Sequence, residues 1–168
     1  MPEPSIHVSA VFALLTYMGF GLPTSVALAA MAVLPDLDVL VRTHRSVTHS
    51  LVVYSPIALA AMLSHSVEPG LSIILFGVWI SLSSHVLLDV IGGYCPALWP
   101  ILKEDLMVST GLKLEFGHSF ALEPFAKISR RPMSMSPFEQ FDASVVTGEG
   151  LLISAMLIIL SLPRLPPL

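Results

Sequence analysis

Between residues 34 and 50 the chain reads LPDLDVLVRTHRSVTHS, which sets two carboxylates, Asp36 and Asp38, ahead of two imidazoles, His44 and His49. Oxygen and nitrogen donors in this company suit a divalent metal, zinc above all. The stretch lies between long apolar runs, where ionisable groups are costly unless paired, hydrated or metal-bound. Two carboxylates at i and i+2 can bridge two ions, or one can ligate while the other acts as general base, the role expected of Asp38. Aspartates after a proline are also common helix caps and turn formers. That explanation covers one of the pair well, and covers two followed by HRSVTHS less well. Thr48 and Ser50 flank His49 and can cap the next helix or bond the second ring nitrogen. Arg42 reads as an interfacial cation, whereas Arg45, beside the expected ligands, suits a phosphate oxygen.

A second donor pair occurs in SHVLLD, where His85 and Asp89 are one helical turn apart. Residues at i and i+4 share a helix face, so both side chains can reach one point. An intrahelical ion pair is the plain alternative, and the first Asp/His cluster favours the metal. His7 opens the first apolar run and is a further candidate ligand if it shares their side. His118, in GHSFALEPF, serves equally as a ligand or an ordinary loop histidine.

These donors need a frame, and the composition says what kind. The chain has 168 residues, enough for a single domain over 1–168 with one continuous core. Its hydrophobic fraction is 54%, its mean hydropathy +0.82 and its charged fraction 12%, against about 25% charged residues in soluble domains. So little charge cannot cover a water-facing surface, and an integral membrane protein is expected. A net charge of −4 gives no reason to expect a nucleic-acid partner. The single cysteine excludes an internal disulfide, and the start MPEPSIH lacks the basic segment of a cleavable signal peptide.

Five apolar segments are expected to be helical, at about 6–20, 25–34, 50–64, 71–91 and 149–162. The fold class is therefore all-α, a membrane helical bundle with its polar site at one face. The first two segments are short for a full span of about 20 residues. Residues 92–148 form a long, mixed insertion on the polar side. If each segment crosses once, His7, Asp36, Asp38, His44, His49, His85, Asp89, Cys95 and His118 all gather at one face, and only His65 lies opposite. Seven of the eight basic residues follow the same partition, with Arg164 the exception, which puts that face on the cytoplasmic side of the inner membrane. Trp99, in ALWPIL, reads as an interfacial anchor.

LPDLD, HRSVTHS and SHVLLD followed by glycines and LWP, in this order and spacing, resemble the YdjM-like family, described as LexA-regulated, membrane-bound, metal-dependent hydrolases. The resemblance covers about residues 1–103, and Ser46 stands where the family loop has glycine. It implies His7, Asp36, Asp38, His44, His49, His85 and Asp89 as site residues. A more distant likeness is to the zinc-dependent phospholipase C and S1/P1 nuclease fold, whose order of ligands His7, Asp36 or Asp38, His49, His85 and Asp89 follow. That likeness implies Cys95 as a thiolate ligand where those enzymes carry a histidine. Their closing H-x-x-x-E is missing, His118 and Glu123 being one residue too far apart, so one or two ions are expected rather than three.

The function expected is a membrane-bound, zinc-dependent hydrolase of a phosphoester, its substrate linked to a membrane lipid. Two other classes compete. One is a non-catalytic metal site that ties helices together, with every coordination position filled. The other is a small transporter in which the acids and histidines relay protons, and that protein would purify without metal.

Overall fold

In the computed structural model, residues 3–41, 47–116, 120–133 and 147–164 are described. Arg42, His44, Arg45 and His118 lie outside these residues. The chain begins with α1 (Pro4–Tyr17) and α2 (Leu22–Ala30), followed without a break by a tightly wound 3₁₀ stretch, Met31–Val41. A short turn, Val47–His49, leads into α3 (Leu51–Ser64) and α4 (Pro69–Gly92). Then come β1 (Glu104–Phe116), β2 (Phe120–Pro132), α5 (Gly148–Ser161) and a last turn, Leu162–Arg164.

The helix ends follow from local chemistry. Prolines open α1, α2 and α4, where a missing N–H costs nothing. Ser50 and Thr147 cap α3 and α5 by accepting the N–H groups of Val52 and Gly150. Gly19, at φ +87°, ends α1. The N–H groups of Phe20 and Gly19 turn back to the carbonyls of Leu15 and Thr16, closing the helix with a left-handed residue that only glycine adopts readily.

α1 packs against α5 and α2, and α3 against α4. One apolar core joins Val11, Phe12 and Leu15 of α1 to Leu28 and Ala29 of α2, Ala32, and Ile80 of α4. A second lies under the site, where Val86 and Val90 of α4 meet Cys95, Ala97 and Val108. Between helices the contacts are small: the Ser72 hydroxyl donates to the Ala61 carbonyl at 2.8 Å, and α5 buries only Gly150, Ser154 and Ser161. Outward, α5 exposes Leu151, Leu152, Ile153, Met156, Ile159 and Leu160. Small residues inside and large apolar ones outside is how helices pack in lipid, where burial of large side chains drives nothing. At the N-terminal side Glu3 is buried, and its carboxylate accepts the Thr147 N–H at 2.8 Å, tying the start of α1 to the first turn of α5. A Cβ on Gly150 would run into that carboxylate.

Two expectations need correction. The chain is mostly helical but not all-α: within 92–148, β1 and β2 form an antiparallel ribbon in register from Glu104↔Pro132 to Phe116↔Phe120. The ribbon is rooted by paired backbone hydrogen bonds between Cys95 and Leu106, at 2.9 and 2.8 Å, and by Asp105, which is buried, accepts from Arg131 Nε at 3.0 Å and lies where Arg131 stacks over Tyr94. Nor do five helices have spanning length. Among the described residues α4 is the one helix both long and apolar enough to cross. The fourteen residues of α1, α3 and α5 reach about 21 Å, short of a hydrocarbon core of about 30 Å.

Candidate metal centre

The 3₁₀ winding after α2 divides its residues into three rows, because side chains three apart nearly eclipse at three residues per turn. Ala32, Pro35 and Asp38 form the inward row and are buried, Val33 and Asp36 are half-buried, and Leu34 and Leu37 face outward. Both carboxylates thereby reach the same imidazole from different sides. Asp36 Oδ1 lies 3.4 Å from Nε2 of His49, and Asp38 Oδ2 lies 3.2 Å from Nδ1.

His49 is fully buried, and its setting explains its fixed pose. Ser50, next to it, hydrogen-bonds the Trp99 carbonyl, and Leu51 N–H donates to the Ala97 carbonyl at 2.9 Å. The Tyr54 hydroxyl bonds the Thr48 carbonyl, and the Cys95 thiol donates to the carbonyl of His49 itself at 3.4 Å. The Thr48 hydroxyl, 2.9 Å from Asp38 Oδ2, holds the carboxylate that holds the ring.

α4 supplies the opposite wall. His85 Nε2 lies 3.3 Å from His49 Nε2, 3.4 Å from Asp36 Oδ1 and 3.7 Å from Asp89 Oδ2, and Asp89 Oδ2 is 3.3 Å from His49 Nε2. One ligand atom from each of Asp36, His49, His85 and Asp89 thus falls within 4.8 Å of the others. A tetrahedral zinc ion with bonds of about 2.0–2.2 Å separates its ligands by about 3.3–3.6 Å. Four of the six separations, 3.3 to 3.4 Å, match that edge, and the His85–Asp89 separation, 3.7 Å, lies just above it. The donor set also fits by charge, two carboxylates and two imidazoles cancelling a dication. His85 Nδ1 is buried and meets no hydrogen-bond partner among the described residues, so that ring's polar contacts are all on its Nε2 edge.

Burial alone would push the Asp36 carboxyl up, but hydrogen bonds from His49 and His85 outweigh it and hold it well below the usual carboxylate range. Burial would likewise push His49 down, but Asp36, Asp38 and Asp89 outweigh it and raise the imidazole to about 10. With no metal bound, His49 therefore carries a proton at neutral pH, and the cluster already shelters a cation.

The structure separates the sequence candidates by position. Asp36, His49, His85 and Asp89 converge. Asp38 stands behind His49, on the ring nitrogen that faces away from the other three. His7 is one layer out: its Nε2 lies 3.5 Å from Asp89 Oδ1, and its ring stacks on His85 at 4.0 Å. Cys95 sits on the backbone side of His49, outside the four converging side chains. Tyr54, buttressing the carbonyl of Thr48, was missed; a tyrosine one turn into a helix carries no spacing signal.

No curated protein and no solved structure matches this chain, so the likeness to the phospholipase C fold is not shown. The family model described as YdjM inner membrane protein matches residues 6–162, from α1 through the cluster and the ribbon to α5. A match of that extent, over a chain with an apolar α4 and lipid-like helix packing, places the protein in the YdjM inner membrane protein family.

Proposed function

We propose that this protein is a membrane-bound, metal-dependent hydrolase of a phosphoester carried by a lipid, with one zinc ion held by Asp36, His49, His85 and Asp89. The convergence of those four side chains from three separate stretches of chain carries the reading. Four protein ligands fill a tetrahedral site, so a catalytic ion here would need a fifth position on the exposed Asp36 side, where it would supply a bound water of lowered pKa and a Lewis acid for a phosphoryl oxygen. The protein's own part is positioning. Asp38, steadied by Thr48, takes the Nδ1 side of His49 and turns its Nε2 towards the other ligands. His7 does the same for Asp89 from its outer oxygen. This moves Asp38 from the general base expected of it to a positioning residue. Asp36, 24% exposed where the other three are at most 2%, marks the side on which water and substrate reach the site. Arg45 is proposed to steady charge developing on the phosphoryl group, with the site on the cytoplasmic side.

The test is metal content followed by activity. The purified protein should hold close to one equivalent of zinc, lose it in His85→Ala and Asp89→Ala, and release a lipid phosphoester product only when loaded. Metal retained by both variants would reject the site. Loss of metal that unfolds the protein, with no phosphoester cleaved by the loaded form, would point to a structural ion. A protein that purifies metal-free and binds none would point to a proton relay.

A further inference from the structure

Resting on the ion site of that reading but not on its chemistry, we propose that the base of the ribbon is a regulatory grip on the site. Asp105 and Arg131 are positioning residues that hold His49 through Tyr94 and Cys95, so attachment of the ribbon and occupancy by zinc favour one another. Residues 94–99 are held from two sides. On one side is the ribbon: Cys95 exchanges both backbone hydrogen bonds with Leu106 of β1, at 2.9 and 2.8 Å. Tyr94, its neighbour, lies under the Arg131 guanidinium, 4.4 Å from the ring centroid. The same guanidinium donates from Nε to Asp105 at 3.0 Å. On the other side is the stretch that carries His49. The Cys95 thiol donates to the His49 carbonyl at 3.4 Å, the Trp99 carbonyl accepts the Ser50 hydroxyl, and the Ala97 carbonyl accepts the Leu51 N–H at 2.9 Å. Three consecutive residues, His49, Ser50 and Leu51, thus take their place from a segment whose own place is set by the ribbon.

Two features make this joint a grip. Asp105 is 3% exposed, and a buried carboxylate is costly unless paired. The joint is therefore favourable with Arg131 in place and unfavourable once the guanidinium is withdrawn. The ribbon also bears on the opposite wall of the site. Val108 of β1 packs on the core formed by Val86, Val90, Cys95 and Ala97, and Val86 and Val90 directly follow His85 and Asp89 in α4. The ribbon base thus bears on the backbone behind three of the four converging residues without touching the ion. Zinc holds its ligands at about 2.0–2.2 Å, so a shift of this joint is felt as a change in affinity. By linkage the effect runs both ways: what zinc gains from a seated ribbon, the ribbon gains from bound zinc.

Zinc competition against a chelator is run on the full-length parent, Arg131→Ala, Asp105→Asn and Arg130→Ala. Arg130 is the control: it neighbours Arg131 on β2, is 62% exposed and meets Glu104 at 3.8 Å. Arg131→Ala and Asp105→Asn should bind zinc at least about fivefold more weakly while still filling to one equivalent, and Arg130→Ala should match the parent. Hydrogen exchange on the parent reads the reverse effect with no substitution at all. Zinc should slow exchange of the Cys95 and Leu106 amides by about fivefold or more, while the Val67 and Glu68 amides, bonded in the turn between α3 and α4, keep their rates. Unchanged affinity in either grip variant, an equal loss in Arg130→Ala, or exchange at Cys95 and Leu106 that ignores zinc would overturn the grip. A parent that binds no zinc removes the ion site and the grip together. A parent that binds zinc, shows both effects and cleaves no phosphoester keeps the grip and refutes the hydrolase reading alone.

Discussion

Asp38→Asn separates a ligand from a positioning residue. Were Asp38 a ligand, its replacement would remove a bond to the ion and leave the site unable to fill. The geometry says otherwise: Asp38 Oδ2 is 3.2 Å from Nδ1 of His49, the nitrogen turned away from His85 and Asp89, and it accepts from Thr48 at 2.9 Å. Asparagine keeps the shape but loses the charge that fixes the tautomer and makes the ring a better donor. Loss of such an outer partner weakens metal binding about 10–100-fold, or about 1.4–2.7 kcal/mol at 1.4 kcal/mol per decade. Thr48→Ala removes the hydroxyl that bonds Asp38 Oδ2 and also lies 3.2 Å from His49 Nδ1 and from the Pro35 carbonyl; at about 1 kcal/mol for a hydrogen bond, that is a loss of at least about fivefold. Because the two bond each other and share Nδ1 of one ring, the double variant should fall short of the sum. The assay is zinc competition against a chelator of known affinity, read for stoichiometry as well as affinity. Asp38→Asn should still reach one equivalent at saturation. Failure to fill at any zinc concentration, or an unchanged affinity, would refute the reasoning.

Further expectations are these. In the metal-free protein His49 is raised to about 10 from an ordinary 6.5, so its stabilising effect is complete below pH 6.5 and fades as pH rises through about 10; thermal melts of chelated protein should decline over that window. Zinc must displace the same proton, so its apparent affinity should climb over the same window, and the stabilisation by zinc should be greatest at its upper end. Ser50→Ala removes the cap of α3 and the tie to Trp99, and should cost about 1–2 kcal/mol in a chemical melt together with a measurable loss of zinc affinity, because His49 is its neighbour. Gly150→Ala should cost about 1–3 kcal/mol as overpacking, since its Cβ would meet the Glu3 carboxylate. Metal stoichiometry should survive that change, and an unaltered melting temperature would remove the close approach from the account.

Much of the site was legible because its donors sit where chemistry is costly. Asp36, His49, His85 and Asp89 are ionisable residues at the margins of apolar runs, and the i, i+4 spacing of the last two puts them on one face in any helix. The side partition then brought them to one end without coordinates. The roles were less legible. Asp36 and Asp38 look equivalent in PDLD, and only the three-residue winding after α2 sends one inward to Nδ1 and leaves the other at the rim. Cys95 looked like a ligand through a likeness, yet its thiol goes to the carbonyl of His49. The ribbon was missed although Leu112, Lys113, Leu114, Glu115 and Phe116 alternate, because the charge in 92–148 read as a loop of mixed character. The number of spans is not legible from composition, which marks α1, α3 and α5 as greasy, whereas their fourteen residues set their reach.

The clasp between Glu3 and the Thr147 amide joins positions 144 residues apart, and it bears on biosynthesis. His7 stands one turn beyond Glu3 on α1, and α1 rests against α5. During translation α1 is made early and then waits for nearly the whole chain before its partner emerges. The first turn of α1 therefore gains its tie to α5 only once synthesis reaches Thr147, whereas His7 can meet His85 and Asp89 as soon as α4 is in place.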